Sequence, residues 1–215
     1  MNKGKIYIAG FDVFYLDALK RGEELKNICN KYGYEGLFPL DNEVVSSSKE
    51  DMATKIFYGN IDYIQKSDFV IANLNSFRGK EPDSGTCFEC GVAYGLGKKI
   101  YGYIDNKYSL KYKNAVEYNG EHFLDENNMI VEDFDFPLNL MLSVPIAIIG
   151  GGSFEGAIKK LDYDYTNSVE FIMNQKCNKC EHRDARNNPC NICNNFYLNY
   201  KDENTKLGLD FYEEV

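Results

Sequence analysis

Residues 69–97, FVIANLNSFRGKEPDSGTCFECGVAYGLG, decide the fold: they read as a strand, a polar turn and a helix that opens at a carboxylate. The run Phe69–Leu74, introduced by Asp68, is apolar apart from Asn73, as expected of a parallel strand covered on both faces. Asp83 and Ser84 are N-cap candidates for a helix from about Gly85 to Leu96, and Gly97 supplies its stop. Phe88, Val92 and Leu96 recur at four-residue steps and predict a core-facing stripe. Glu89, near the first turns, is then expected at the crevice along the carboxyl ends of the strands, where open α/β sheets bind ligands. A lone glutamate on a helix is ordinarily a solvated residue. Its neighbours must carry the functional case.

Outward from this unit, strands and helices alternate. A strand at Ile6–Ala9 ends in Gly10, and a helix follows with Ala18, Gly22, Leu25, Cys29 and Tyr32 on one face and Gly33 as its stop. A strand at Gly36–Leu40 and a helix over about Lys49–Gln65 precede Asp68. After Gly97 comes a strand at Ile100–Ile104, then a polar, tyrosine-rich stretch from Asp105 to Asp135. Within it, His122–Leu124 and Met129–Glu132 flank Asp125–Asn128 as a candidate hairpin. A short helix at Leu138–Leu142, a strand at Val144–Ile149 and a helix at Phe154–Leu161 close the pattern. This order predicts an α/β fold, a doubly wound, flavodoxin-like parallel sheet of about five strands flanked by helices. The division expected is a catalytic domain over 1–165 and an extension over 166–215.

Composition narrows the function. A chain of 215 residues with 44% hydrophobic residues can bury a core of ordinary domain size. Its net charge of −9 argues against a nucleic-acid-binding surface, which needs clustered lysine and arginine. No apolar run approaches the roughly eighteen residues that span a bilayer. The N-terminus shows no signal-like segment, so the expectation is a cytoplasmic protein without a membrane partner. With two histidines, His122 and His182, carboxylates are the expected agents of any acid–base chemistry.

The blocks Lys5-Ile6-Tyr7-Ile8-Ala9-Gly10 with Phe14, Pro39-Leu40-Asp41-Asn42, Asn60-Ile61 with Asp68, FRGKEPDSGTCFECG, and Phe136-Pro137-Leu138-Asn139-Leu140-Met141 together resemble the nucleoside 2-deoxyribosyltransferase family. They occur in the family's order across about residues 5–162. The resemblance implies exchange of 2-deoxyribose between free nucleobases and 2′-deoxyribonucleosides, with no cofactor in catalysis. It implies that Tyr7 and Phe14, beside Gly10, line the substrate pocket. It further implies that Asn139 bonds the sugar 5′-hydroxyl of a neighbouring subunit's site with Met141 lining that pocket, hence a homo-oligomer. A neutral amide at Asn139 favours a free nucleoside over a 5′-phosphate.

Charge alone suggests how such a bond breaks. Cleaving an N-glycosidic bond builds positive charge at the anomeric carbon, which a carboxylate can stabilise or trap. Glu89 is the candidate nucleophile, forming a glycosyl ester that a second base attacks, so that two displacements retain configuration. Asp83, at the helix mouth, and Asp68, at the strand start, are the candidates to contact the departing base. Two other readings stay open: an N-glycoside hydrolase of nucleosides or nucleotides using the same Glu89, and a nucleotide-binding module without turnover.

The family pattern has no counterpart to the tail. Cys177-x2-Cys180 and Cys190-x2-Cys193, nine residues apart, are expected to form a compact structural zinc knuckle, since disulfides seldom persist in a reducing compartment. Cys29, Cys87 and Cys90 fall on predicted helices and read as small packing residues. Gly91 and Gly95 suggest a tightly packed helix face. Gly150-Gly151-Gly152 lacks the spacing and the lysine of a phosphate loop and reads as a turn.

Overall fold

The computed structural model describes residues 2–42 and 44–173, with side chains to 167. Cys177, Cys180, Cys190 and Cys193 lie outside the described residues.

Among the described residues the elements follow as β1 (Lys5–Ala9), α1 (Ala18–Lys31), β2 (Glu35–Leu37), α2 (Lys49–Lys66), β3 (Phe69–Asn73), α3 (Ser84–Gly95) and β4 (Lys99–Ile104). After them come α4 (Leu110–Asn114), β5 (Glu117–Tyr118), β6 (Phe123–Leu124), α5 (Leu140–Ser143), β7 (Ala147–Gly150) and α6 (Phe154–Met173). One five-stranded sheet has the order β2-β1-β3-β4-β7 with every pairing parallel. The strand order reverses beside β1, which is the flavodoxin-like switch point and opens a crevice at the carboxyl edge.

Two apolar layers cover the sheet, and strand alternation decides which residue meets which helices. Ile6, Ile8, Ile71 and Tyr101 pack against Cys29 of α1 and Phe154, Ala157, Ile158 and Leu161 of α6. Tyr7, Ala9, Val70 and Ala72 turn the other way, onto Ile64 of α2 and Cys90 and Ala93 of α3. Close approach of α1 depends on glycine: a Cβ at Gly22 would sit 2.5 Å from the Phe38 ring, which is itself buried.

The α3 stripe differs from expectation. Thr86, Cys90 and Ala93 are the buried positions. Phe88 is 54% exposed and Leu96 faces solvent, while Val92 packs at the margin of the core. Small side chains win this face because the helix lies close over β3 and β4. Nor do Gly91 and Gly95 mark a tight contact, since a Cβ at either would meet nothing within 4 Å.

The candidate hairpin is also rearranged. Leu124 does bridge Ile130, but the antiparallel ladder pairs Glu117–Tyr118 with Phe123–Leu124. The last helix continues to Met173, beyond the stop expected at Leu161. No helix among the described residues is long and apolar enough to cross a membrane.

Candidate active site

Strand parity brings the site together. Tyr7, on the α2–α3 side of β1, is fully buried, and its hydroxyl donates to Glu89 Oε1 at 2.6 Å. From α2, Asn60 Nδ2 donates to the same oxygen at 3.3 Å. Two donors thus converge on one carboxylate oxygen and leave Oε2 outside their grip. Burial above all, with Asp83 nearby adding to it, raises the Glu89 acid to about 7, against the bonds from Tyr7 and Asn60, which favour ionisation. The Tyr7 hydroxyl is itself driven upward, by burial first and by the Glu89 charge second, so it stays a donor.

Asp83 caps α3. Its Oδ2 accepts from the Thr86 backbone N–H at 2.9 Å and from the Thr86 hydroxyl at 3.0 Å. Its capping role and its place beside Glu89 coexist, since a single oxygen satisfies the cap. Six residues along one helix therefore carry both carboxylates to the mouth of the crevice.

Asp68 stands elsewhere. It precedes β3, at the amino edge of the sheet, and its Oδ2 accepts from the Lys5 backbone N–H at 2.7 Å. A five-residue strand rising about 3.3 Å per residue puts it roughly 16 Å from the carboxyl edge. The expected contact between Asp68 and a departing base is corrected accordingly: its role is to tie β3 to β1.

Gly10 and Phe14 belong to the crevice. Gly10 has φ 157°, and a Cβ there would lie 2.8 Å from the Asn73 Cβ and 3.2 Å from Asp12 Oδ2, so the turn out of β1 needs glycine. Below it runs a polar floor: Asn73 Nδ2 donates to the buried Asp12 at 2.9 Å, Asn75 Nδ2 donates to Asn73 Oδ1, and Asn75 Oδ1 accepts from the Asp105 N–H. Phe14 is 57% exposed, and its ring stacks on Phe77 at 5.3 Å with the planes 17° apart. Phe77 stacks in turn on Phe11 at 5.1 Å, and the Arg78 guanidinium lies 4.6 Å from the Phe77 ring centre. A flat aromatic slab at a crevice mouth suits a planar heterocycle.

Asn139 and Met141 are not joined to Glu89 within the chain. Asn139 caps α5 through Met141 N–H, and its Nδ2 donates to Glu132 Oε1. Met141 is 74% exposed. Both sit on the side of the chain formed by the segment between β4 and β7.

Asn60, Phe11, Phe77 and Glu132 received no role from sequence. Asn60 and Phe77 did fall inside the quoted blocks, which was the one available signal. Their partners lie 29 residues away for Asn60–Glu89 and 63 residues away for Phe77–Phe14, beyond any local period.

A sequence model of the family described as nucleoside 2-deoxyribosyltransferase matches residues 6–141, more than half the chain. A solved 2-desoxiribosyltransferase from Leishmania mexicana superposes with a TM-score of 0.61 at 31% identity, over 74% of this chain and 97% of that one. A CMP N-glycosidase from Clostridium botulinum aligns at 21% identity over 74% of this chain and 98% of its own, with a TM-score of 0.40, too loose a fit to argue from. The uncharacterized protein C191.05c of Schizosaccharomyces pombe is 31% identical over 102 residues, 46% of this chain, and the chain spans about half that relative's length. The chain belongs to the nucleoside 2-deoxyribosyltransferase family.

Proposed function

We propose that this protein transfers 2-deoxyribose between nucleobases through a covalent ester on Glu89. The observation that carries the reading is the clamp on one Glu89 oxygen by the buried Tyr7 hydroxyl, at the carboxyl edge of the sheet. The clamp holds the carboxylate against rotation, so Oε2 is presented to the anomeric carbon. As the N-glycosidic bond breaks, its electron pair leaves with the base, which takes up a proton. Oε2 then closes the ester at C1′. A second base attacks the same carbon, expels Glu89 as a carboxylate and loses its own proton to solvent. Configuration is retained.

Asp83 contacts the base in this reading, through the oxygen not used for capping. Phe14 and Phe77 stack on the heterocycle. Asn139, whose bonds lie within its own short helix and to Glu132, addresses the sugar 5′-hydroxyl of a neighbouring subunit. The active form is then a homo-oligomer, and the name of the Leishmania mexicana relative supports the same reaction class.

Incubation of deoxyinosine with free adenine tests the reading. Formation of deoxyadenosine, lost in Glu89→Ala, supports transfer. Release of free deoxyribose at the same rate with and without adenine would replace transfer by hydrolysis at the same glutamate. A monomer in sedimentation that retains full activity would remove the neighbour's Asn139 from the site.

A further inference from the structure

We infer that Asp12 positions the seat of the heterocycle: its buried carboxylate locks the turn carrying Phe11 and Phe14 to the turn carrying Phe77, so the aromatic slab is formed before a base arrives. This rests on the reading above that Phe14 and Phe77 stack on the base. Asp12 lies inside the 3₁₀ turn Phe11–Phe14 that leaves β1. At 9% exposed, it is the most buried charged residue among those described. An ion taken out of water is tolerated only when paired and hydrogen-bonded, so its partners show what it holds. Asp12 Oδ2 accepts from Asn73 Nδ2 at 2.9 Å, and Asn73, the last residue of β3, is itself buried. Arg21 of α1 offers a compensating charge, with Nη1 3.6 Å from Asp12 Oδ1. Arg21 is kept there by a bond from its Nε to Asp17 at 3.0 Å and by the Tyr15 ring 3.7 Å away. Beyond Asn73 the bonds continue, from Asn75 Nδ2 to Asn73 Oδ1 at 2.9 Å and from Asp105 N–H to Asn75 Oδ1 at 2.6 Å. The carboxyl ends of β1, β3 and β4 are thereby tied together.

The slab is built across this tie. Phe11 and Phe14 follow β1, Phe77 follows β3, and both ring stacks run from one turn to the other. Neither turn by itself sets the spacing of the rings. Phe14 is more than half exposed, so the core does not hold it. The Asp12–Asn73 bond does: Asp12 sits between the two phenylalanines, and Asn73 lies four residues before Phe77. A seat assembled in advance spares an incoming base the cost of ordering two turns. Base exchange uses that seat for the base that departs and again for the base that attacks. Water, which can attack the Glu89 ester instead, needs no stacked surface. Loosening the seat therefore penalises transfer more than hydrolysis. Asp12 is a positioning residue that acts through Phe14 and Phe77.

The test measures KM and kcat for free adenine as acceptor, with deoxyinosine as donor and the full chain, together with the share of donor that ends as free deoxyribose. Asp12→Ala is expected to raise the adenine KM about tenfold while kcat falls by no more than about threefold, and to raise the deoxyribose share. Asp12→Asn keeps an acceptor for Asn73 and should return the KM to within about threefold of the wild type. Phe14→Ala should raise the KM as Asp12→Ala does. The double variant should be no worse than the poorer single one, because one residue acts through the other. A fall in kcat at an unmoved KM, or single effects that multiply in the double variant, overturns the inference. Should Asp12→Ala fail to fold, Asp12→Ser, too short to reach Asn73, carries the same expectations. Calorimetric titration of adenine reads the same loss of affinity without turnover, and equal affinities in the wild type and the Asp12 variant overturn this inference alone. A wild type inactive toward every donor defeats the reading of Glu89 and leaves the titration standing as the test of Asp12.

Discussion

Asp68 and Glu89 flank the same strand, and their contrast shows how a parallel sheet sorts carboxylates. Asp68 enters β3 at the amino edge and spends an oxygen on the Lys5 backbone N–H. Glu89 arrives at the opposite edge on α3, is partly buried, and meets side-chain donors from β1 and α2. The five strands of the main sheet run in one direction, so one edge collects the loops that vary and the helix N-termini, while the other collects returns that only connect. A carboxylate at the amino edge can stitch strands together. At the carboxyl edge it can act on a ligand.

The sharpest way to break this contrast is to remove each group. Glu89→Gln is expected to lower base exchange by about 10³-fold or more, whereas Asp68→Asn should stay within about twofold. Comparable losses in the two variants, measured as initial rates of deoxyadenosine formation, would erase the distinction. A 2-fluoro-arabinosyl nucleoside should leave its sugar on Glu89 by mass spectrometry. An adduct on any other residue would refute the assignment.

Tyr7→Phe should cost about 10- to 100-fold in kcat/KM, because it unlocks the carboxylate and removes a bond that favours its ionised form. The acid limb of the pH profile should move upward at the same time. A fall in rate with an unmoved limb would leave Tyr7 as a packing residue.

The wild-type profile itself follows from burial. A nucleophilic Glu89 must be ionised, so kcat/KM should rise with pH through about 7. Stability should run the other way. The folded state raises Glu89 from an ordinary 4.5 to about 7 and so favours the protonated acid. That contribution is whole below the ordinary value and is lost as the pH climbs through about 7. Glu89→Gln, which keeps an acceptor for Tyr7, should therefore stabilise the chain at pH 8 by up to about 3 kcal/mol and give no gain at pH 4. Denaturant midpoints at the two pH values measure this, and equal effects at both would contradict it.

Smaller effects belong to the groups away from the crevice. Asp68→Ala should cost about 1 kcal/mol of stability through the unpaired Lys5 N–H, with turnover unchanged. Truncation after Lys176, or chelation, should leave base exchange within about twofold if the tail cysteines hold a structural zinc, since metal-linked folding there would be local. Loss of activity on truncation would make the tail part of the active assembly.

How much was legible in the chain follows from the range of each signal. The strand–turn–helix unit around Phe69–Gly97 and the α1 face with Ala18, Gly22 and Cys29 could be read directly, because period and capping are local properties, and the alternation of such units gave a parallel sheet of about five strands. Glu89 and Asp83 could be placed because both ride on one helix whose start the Asp83 cap announces. Asp68 was misplaced although strand direction alone excluded it: a residue at the start of a parallel strand lies at the amino edge, opposite the carboxyl-edge crevice. The α3 stripe was misread because four-residue spacing marks several faces of one helix, and only the distance to β3 and β4 selects small Thr86, Cys90 and Ala93 over Phe88 and Leu96. Sequence by itself determined the class of fold, the family and the helix that carries Glu89. Tertiary structure alone decided that Tyr7 and Asn60 share one Glu89 oxygen and that Glu132 holds Asn139, because hydrogen bonds form between groups that packing brings together, whatever their separation along the chain.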